Sequence, residues 1–331
     1  MTQPKKFTID DIAQMAGVSK ATISYYLNNR FDKMSEKTKT KIAQVIKENN
    51  YQPSVAATAL ARNESKIIGV VVNDITNSFI AEIWKGVQSV AKEKNYSVEF
   101  LDSGDSIDQE IENIHYLSSH ESAGLILNPV DANAPHLKDL SNRNTVMFDR
   151  QSKDMLFDEV VSNNFEITKQ FVGLMKNNGY DEIYFVTFPI ENISTRVDRY
   201  KGFKDALQLS NDDFVLDVSN ADIFDEKLQT IFNERGNKKI GFFAMNGPSL
   251  LVLLNRLQYM GKHHPTDYGV GSYEDLDWMK LLNPGISVIR QYSFEIGQKA
   301  AERLFEKIQD NDYDEPKKIT VNSSILIRQS F

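Results

Sequence analysis

Cysteine is absent from this chain of 331 residues, which removes disulfides and thiolate chemistry and suits a cytoplasmic protein. No apolar run approaches the roughly 20 residues that a membrane-spanning helix needs, so no membrane partner is expected. The opening Met1-Thr2-Gln3-Pro4-Lys5-Lys6 leads into a polar segment, not the apolar core of a secretion signal. Histidine is scarce, and its five copies (His115, His120, His136, His263 and His264) show no metal-ligand spacing such as His-Glu-x-x-His. His115 and His120 do not share a helical face, and His263-His264 precede a proline in a loop. A Gly-x-Ser-x-Gly elbow is missing, because Gly269-Val270-Gly271-Ser272 carries only half of it. The phosphate-cradling P-loop and the Gly-x-Gly-x-x-Gly fingerprint are missing too, and Asp212-Asp213 sits in polar turn sequence. These absences argue against an enzyme, against a cofactor and against a metal site.

The excess of acid, a net charge of −8, argues on its face against a nucleic-acid partner. Its distribution reverses that inference. Residues 1–62 hold ten Lys and Arg against five Asp and Glu, so the remaining chain carries 28 basic and 41 acidic residues. A basic head on an acidic body suits a module that meets phosphates while the body is repelled by them. Apolar content of 41% and charged content of 25% are those of a soluble globular protein, and the length calls for two or three domains.

Within the basic head, Thr8 is placed to cap a helix, with Asp11 three residues on as a capping-box partner. Ile12, Ala13 and Ala16 fall on one face at helical spacing. Gly17 suits the left-handed residue that ends a helix, and Ser19 caps the next one, whose apolar stripe is Ile23 and Leu27. Two short helices joined at a glycine predict a helix-turn-helix, whose second helix enters the DNA major groove. The alternative is an amphipathic helical hairpin with no DNA role. A third helix is expected over residues 35–49, with Ile42, Val45 and Ile46 inward. Residues 54–62 form a small-residue stretch too short to be a stable helix alone.

The runs Val18-Ser19-Lys20-Ala21-Thr22-Ile23-Ser24, Leu27-Asn28, Ser35-Glu36-Lys37-Thr38 and Asn50-Tyr51-Gln52-Pro53 resemble the N-terminal signature of the lactose-repressor (LacI) family. The resemblance implies that Lys20, Ala21 and Tyr25 face base edges, and that Thr22 belongs to the same DNA-binding surface. It implies that Thr8, Ser19, Ser24 and Asn28 meet phosphates, which fix register without reading sequence. Tyr25 departs from the family's commoner arginine, which pairs bidentately with guanine; it either reads a base or packs beside Tyr26. Asp10 departs as well, since an acid there is repelled by phosphate, and Lys5 and Lys6 are at hand to compensate. Residues 53–65 resemble the family's hinge helix, in which Leu60 matches the leucine that wedges into the minor groove and Ala57 the small residue beside it. Read without the family, the same stretch is an Ala-rich linker.

After residue 65 the pattern alternates strand with helix. Apolar runs predict strands at 67–72, 97–101, 124–127, 145–148 and 159–161, then at 183–187, 240–244, 268–271 and 287–289. Two such sets predict an α/β protein with two doubly wound lobes, whose ligand sits at the carboxyl ends of the strands. The order of motifs is similar to the periplasmic-binding-protein-like core of the same family. That implies a headpiece over 1–52, a hinge over 53–65 and a core over 66–331. The first lobe would take about 66–162 plus 292–316 and the second about 163–291 plus 317–331. Crossings between lobes are expected near 161–164, 288–292 and 314–319, with 319–331 a single returning strand. No leucine heptad tail follows, so a homodimer is expected over a tetramer.

The resemblance also nominates an effector site. Asn77-Ser78-Phe79 matches a family segment that lines the cleft with an aromatic, and Asn128 ends a strand at the cleft face. Asp149-Arg150 follows the strand at 145–148, and Arg196 matches an arginine that grips the effector. Asn246 matches an asparagine whose usual acidic neighbour is here Gly247, and Tyr273-Glu274 stands where the family has an aromatic and an aspartate, with Trp278 beyond. Amides and carboxylates suit hydroxyls, aromatics suit sugar CH faces, and arginine forks onto carboxylate or phosphate. The set fits a sugar acid or a sugar phosphate, with Arg150 either gripping it or tying the lobes together. The run from Ser19 to Asn28, with Tyr273-Glu274-Asp275-Leu276-Asp277-Trp278 ahead of Asn283-Pro284-Gly285, is most similar to the keto-deoxygluconate repressor branch. The expected function is a regulator that binds a pseudo-palindromic DNA operator and represses sugar or sugar-acid catabolic genes under effector control. The alternatives are a sugar-binding protein on the same core and a sugar-modifying enzyme.

Overall fold

The computed structural model describes residues 7–51, 65–309 and 315–331, and the chain divides into two compact units at 1–65 and 66–331. The hinge residues Ala57 and Leu60, and the lysines Lys5 and Lys6, lie outside the described residues.

The first unit packs α1 (Ile9–Ala16), α2 (Lys20–Leu27) and α3 (Glu36–Glu48) around Ile12, Ala13, Ala16, Ile23 and Ile42. Local chemistry fixes each boundary. The Thr8 hydroxyl accepts from the Asp11 N–H at 3.2 Å while the Asp11 carboxylate accepts from the Thr8 N–H at 2.7 Å, closing the capping box. Gly17 ends α1 at φ 64°, a left-handed position that costs any side chain strain. Ser19 and Ser35 cap the next two helices, each accepting an N–H at 3.2 Å.

The second unit holds two six-stranded sheets. Its first lobe contains β1 (Ile67–Val72), β2 (Ser97–Asp102), β3 (Gly124–Leu127), β4 (Thr145–Phe148), β5 (Asp158–Ser162) and β11 (Lys318–Val321), in the order β11-β5-β4-β3-β1-β2 and all parallel. The second contains β6 (Glu182–Thr187), β7 (Val215–Asp217), β8 (Ile240–Ala244), β9 (Gly269–Tyr273), β10 (Ser287–Arg290) and β12 (Ser324–Leu326), in the order β12-β10-β9-β8-β6-β7, with only β12 antiparallel to its neighbour.

Helices cover both faces of each sheet, which is why the central strands are apolar throughout. On the first sheet, α4 (Ser78–Glu93) and α10 (Ser293–Gln309) pack over Ile126, Val146 and Phe148, while α5 (Ile107–Ser119) packs over Leu125, Leu127 and Met147. On the second, α8 (Ala221–Glu234) and α9 (Gly247–Tyr259) cover Val186 and Phe242, while α6 (Asn164–Asn177) and α7 (Ser194–Leu207) cover Phe185 and Phe243. Adjacent strand residues thus serve opposite cores, as the two-residue period requires.

The end of the chain corrects the expected lobe boundary. Lys318–Val321 pairs in parallel with residues 159–162, so it covers the edge of the first sheet and does not belong to the second lobe. The last crossing therefore falls at Asn322–Ser323, and residues 319–331 are not one strand. The three crossings are tied together: the Ser323 N–H donates to the Asn163 side chain at 2.8 Å, and the Gln291 amide donates to the Ser162 hydroxyl at 3.2 Å.

Candidate functional site: a helical reading head and a charged cleft

In the first unit, α2 turns Ile23 inward and leaves Lys20, Ala21 and Tyr25 exposed. Tyr26, not Tyr25, does the packing: its ring meets Phe31 edge-on at 5.7 Å, and it borders the headpiece core. The Tyr25 ring lies 5.6 Å from the Arg30 guanidinium. Several residues expected at phosphates already serve the helix ends. The Thr8 hydroxyl donates to Asp11 at 2.7 Å, the Ser19 and Thr22 hydroxyls share a bond of 2.9 Å, and the Asn28 amide donates to the Ser24 carbonyl at 2.8 Å. Thr8 and Ser19 are exposed, whereas Thr22, Ser24 and Asn28 are half-buried.

In the second unit, Asn128, Asp149, Asn246, Tyr273 and Glu274 lie at or just beyond the carboxyl ends of strands, where doubly wound sheets bind ligands, while Arg196 lies in the first turn of α7. Asp149 follows β4 and Glu274 follows β9, the same position in the two sheets, and both adopt left-handed backbone at φ 64° and 70°. Non-glycine residues held there mark strain that the surrounding structure must impose. Burial raises both carboxyl pKa values above the ordinary range, and Arg199 opposes the rise in each. Asn128 hydrogen-bonds Asp149 and donates to the Phe148 carbonyl at 3.1 Å. Glu274 accepts from the Gly247 N–H at 3.1 Å, and Asn246 caps α9.

Three guanidiniums share this region. Arg150 is buried and donates to the carbonyls of Pro129 (2.8 Å) and Val130. Arg196 donates to the Pro189 carbonyl at 2.7 Å, and its pKa is lowered by burial and then by Arg150 and Arg199. Arg199 is buried, donates to the Asn164 side chain and the Met245 carbonyl at 2.9 Å each, and lies 3.6 Å over the Tyr273 ring. All of these acceptors are neutral oxygens. Arg199 escaped the sequence reading, although its spacing of three from Arg196 puts both on one helical face. Gln151 was missed as well. Its N–H donates to the Ser194 hydroxyl at 2.8 Å and its amide to Asp198 at 3.3 Å, joining the lobes.

The aromatic lining needs correction. Phe79 is buried in the first lobe's core, because α4 turns that position onto the sheet, and Asn77 is engaged in capping α4. Tyr273 is fully buried, with one face taken by Arg199. Trp278 packs against the second lobe's core, and Ser78 is exposed. Two surface grooves, of about 560 and 650 Å³, lie elsewhere, at the start of α10 and along α6. Among the described residues no cluster of three or more His, Asp or Glu is arranged for a metal, and no helix is long and apolar enough to cross a membrane.

The pattern of bacterial regulatory proteins of the lacI family matches residues 8–54, and that of the periplasmic binding protein-like domain matches residues 172–331. The HTH-type transcriptional regulator KdgR of Bacillus subtilis is 32% identical over 330 residues, covering 98% of this chain and 97% of that protein. The chain belongs to the LacI family. PtxS of Pseudomonas aeruginosa, another HTH-type transcriptional regulator, is 27% identical over 335 residues, with 98% and 96% covered. Among solved structures, the Lac repressor dimer bound to operator and the anti-inducer ONPF superposes with a TM-score of 0.81 at 20% identity, over 98% of this chain and 99% of that one. The CelR–cellobiose complex gives a TM-score of 0.70 at 20% identity, with 98% and 100% covered. This LacI-family protein is accordingly a DNA-binding transcriptional regulator and not an enzyme. Its architecture, a helix-turn-helix followed by two mostly parallel α/β lobes, is that of the Lac repressor.

Proposed function

We propose that the protein is a cytoplasmic, homodimeric repressor of sugar or sugar-acid catabolic genes, controlled by an anionic sugar bound between its two lobes. The observation that carries the effector class is the convergence of Arg150, Arg196 and Arg199, whose hydrogen bonds go to neutral acceptors. Three guanidiniums outnumber the buried carboxyls of Asp149 and Glu274 beside them, and that excess in a partly desolvated cleft favours a carboxylate or phosphate, which guanidinium forks onto. Asp149, Asn128, Asn246 and Glu274 suit the hydroxyls of the same ligand. CelR holds cellobiose on this fold, which supports a sugar as the ligand, and the Lac repressor meets its operator as a dimer.

On DNA, two copies of α2 would enter the major grooves of a pseudo-palindromic operator, Lys20, Ala21 and Tyr25 toward the bases and Thr8, Ser19, Thr22, Ser24 and Asn28 toward the backbone. Leu60, beside Ala57, would wedge into the minor groove between the half-sites and bend the duplex. The effector acts by binding one arrangement of the lobes better than the other, typically with a coupling of about 1–3 kcal/mol.

The DNA reading is tested with the protein's own upstream DNA. Full-length protein should retard it in a salt-dependent way, and a variant lacking residues 1–62 should not. Equal binding by both would end this reading. The effector class is tested by thermal shift: sugar acids or sugar phosphates at about a hundredfold their Kd should stabilise the protein by about 2.7 kcal/mol, and neutral sugars should not. Stabilisation by neutral sugars alone would reassign the arginines to holding the lobes.

A further inference from the structure

Asp10 lies in the first turn of α1 and Lys20 at the first position of α2. The Lys20 ammonium stands 3.1 Å from the Asp10 carboxylate, with both side chains more than half exposed. Tyr51, just after α3, feels the same pair: its phenol pKa is raised first by burial and then by Asp10, while Lys20 lowers it. The pair thus joins the first turn of α1 to the first turn of the reading helix, with Tyr51 near enough to feel both charges. It does not hold that unit together. Exposed ion pairs contribute little, and the apolar core of Ile12, Ile23 and Ile42 supplies the packing.

What the pair changes is the charge presented to DNA. A free lysine at the start of α2 would neutralise a phosphate and release its counterion whatever the sequence. Paired with Asp10, it presents no net charge at that point, and the carboxylate is itself repelled by phosphate. A guanine edge in the groove offers Lys20 two acceptors and, being uncharged, does not add the repulsion that a phosphate meets from Asp10. Penalising the wrong partner is a recognised way to gain specificity.

We propose that Asp10 is a specificity-determining residue: by pairing with Lys20 it withholds that cation from phosphates and yields it only to a matching base edge. The proposal rests on the DNA-reading role of α2 given above. It accounts for an acid that the family resemblance places near the DNA backbone, and it gives that acid a partner in Lys20.

The experiment compares full-length wild type, Asp10→Asn, Lys20→Met and the double variant by fluorescence anisotropy across a range of salt. One probe is a random-sequence duplex; the other is a duplex selected by the wild type from a randomised library. Asp10→Asn should bind the random duplex tighter, by up to about eightfold near 0.1 M salt, with the salt slope steeper by about 0.9, the value of one added phosphate contact. The selected duplex should gain less, so that the ratio of the two affinities falls at least about threefold. With Lys20→Met in place, Asp10→Asn should gain on the random duplex less than half the fold-change it gains with Lys20 present, that remainder being relief of the carboxylate's own repulsion, and the salt slope should not steepen. The proposal is overturned if both duplexes gain equally, if the random duplex gains nothing, or if the gain survives in full without Lys20. Those results leave α2 as the reading helix. If selection enriches no sequence above the random duplex, the reading role of α2 falls as well.

Discussion

Glu274 ends β9 in left-handed backbone, and its carboxyl is removed from water there, with Arg199 as the opposing cation and Asp149 adding repulsion. Burial outweighs the cation, so the folded pKa lies above the ordinary 4.5. Between those two values the folded state binds more protons than the unfolded chain, and stability falls as pH rises through the window. At neutral pH that penalty weakens the folded state. Glu274→Gln keeps an oxygen for the Gly247 N–H and removes the charge. Its melting temperature without effector should therefore exceed the wild type's at pH 7, and the two should converge as pH falls toward 4.5. Effector binding should weaken at the same time, the usual exchange of stability against function. A wild type more stable than the variant at pH 7 would mean that Arg199 more than repays the burial of Glu274. Which residues end the strands was legible in the sequence, since Asp149, Asn246 and Glu274 each follow an apolar run. That Arg199 is buried was not, because spacing alone does not separate a buried arginine from an exposed one.

Among the elements, α4 and α10 approach more closely than side chains allow. A Cβ on Gly86 would sit 2.1 Å from the Phe294 carbonyl oxygen, and one on Gly297 would sit 2.0 Å from that of Ile83. Alanine is intrinsically better than glycine in a helix by about 1 kcal/mol, but a backbone clash of this kind forces the helices apart. Gly297→Ala should destabilise the protein by roughly 1–3 kcal/mol in urea unfolding. Gly173→Ala, on α6 where nothing lies within 4 Å, should instead stabilise it by roughly 0.5–1 kcal/mol. Equal effects at the two sites would remove the close approach as the reason for Gly297. The strands buried on both faces were readable because they are unbroken apolar runs, as in β1, β3 and β8. The edge strands were harder: Val215-Leu216-Asp217 is too short to stand out from a loop, and Lys318–Val321 and Ser324–Leu326, only two residues apart, read as one strand. The misplaced third crossing follows from that, since it falls between β11 and β12.

At the scale of the whole molecule, the second lobe leaves large apolar side chains in water. Leu251 and Tyr259 on α9 are 58% and 82% exposed, and Leu281, just beyond the 3-10 helix Asp277–Lys280, is 84% exposed. Their helices pack on one core, through Leu250, Leu253 and Leu257 from α9 and Met279 from the 3-10 helix. The homodimer proposed above would cover such side chains if its face lies on this side of the second lobe. Leu251→Glu combined with Leu281→Glu should leave the monomer's fold nearly untouched, because surface substitutions usually change stability by only about 0.5 kcal/mol. It should convert the proposed dimer to monomer in sedimentation at micromolar concentration. Operator affinity should then fall by about a hundredfold or more, since the second head no longer binds at the high effective concentration that linkage to the first provides. Affinity for an isolated half-site should change little. If the doubly substituted protein still sediments as a dimer, the interface lies on another face. If it is a monomer that binds the full operator as tightly as the wild type, the two heads do not act together, and a pseudo-palindromic operator loses its physical basis.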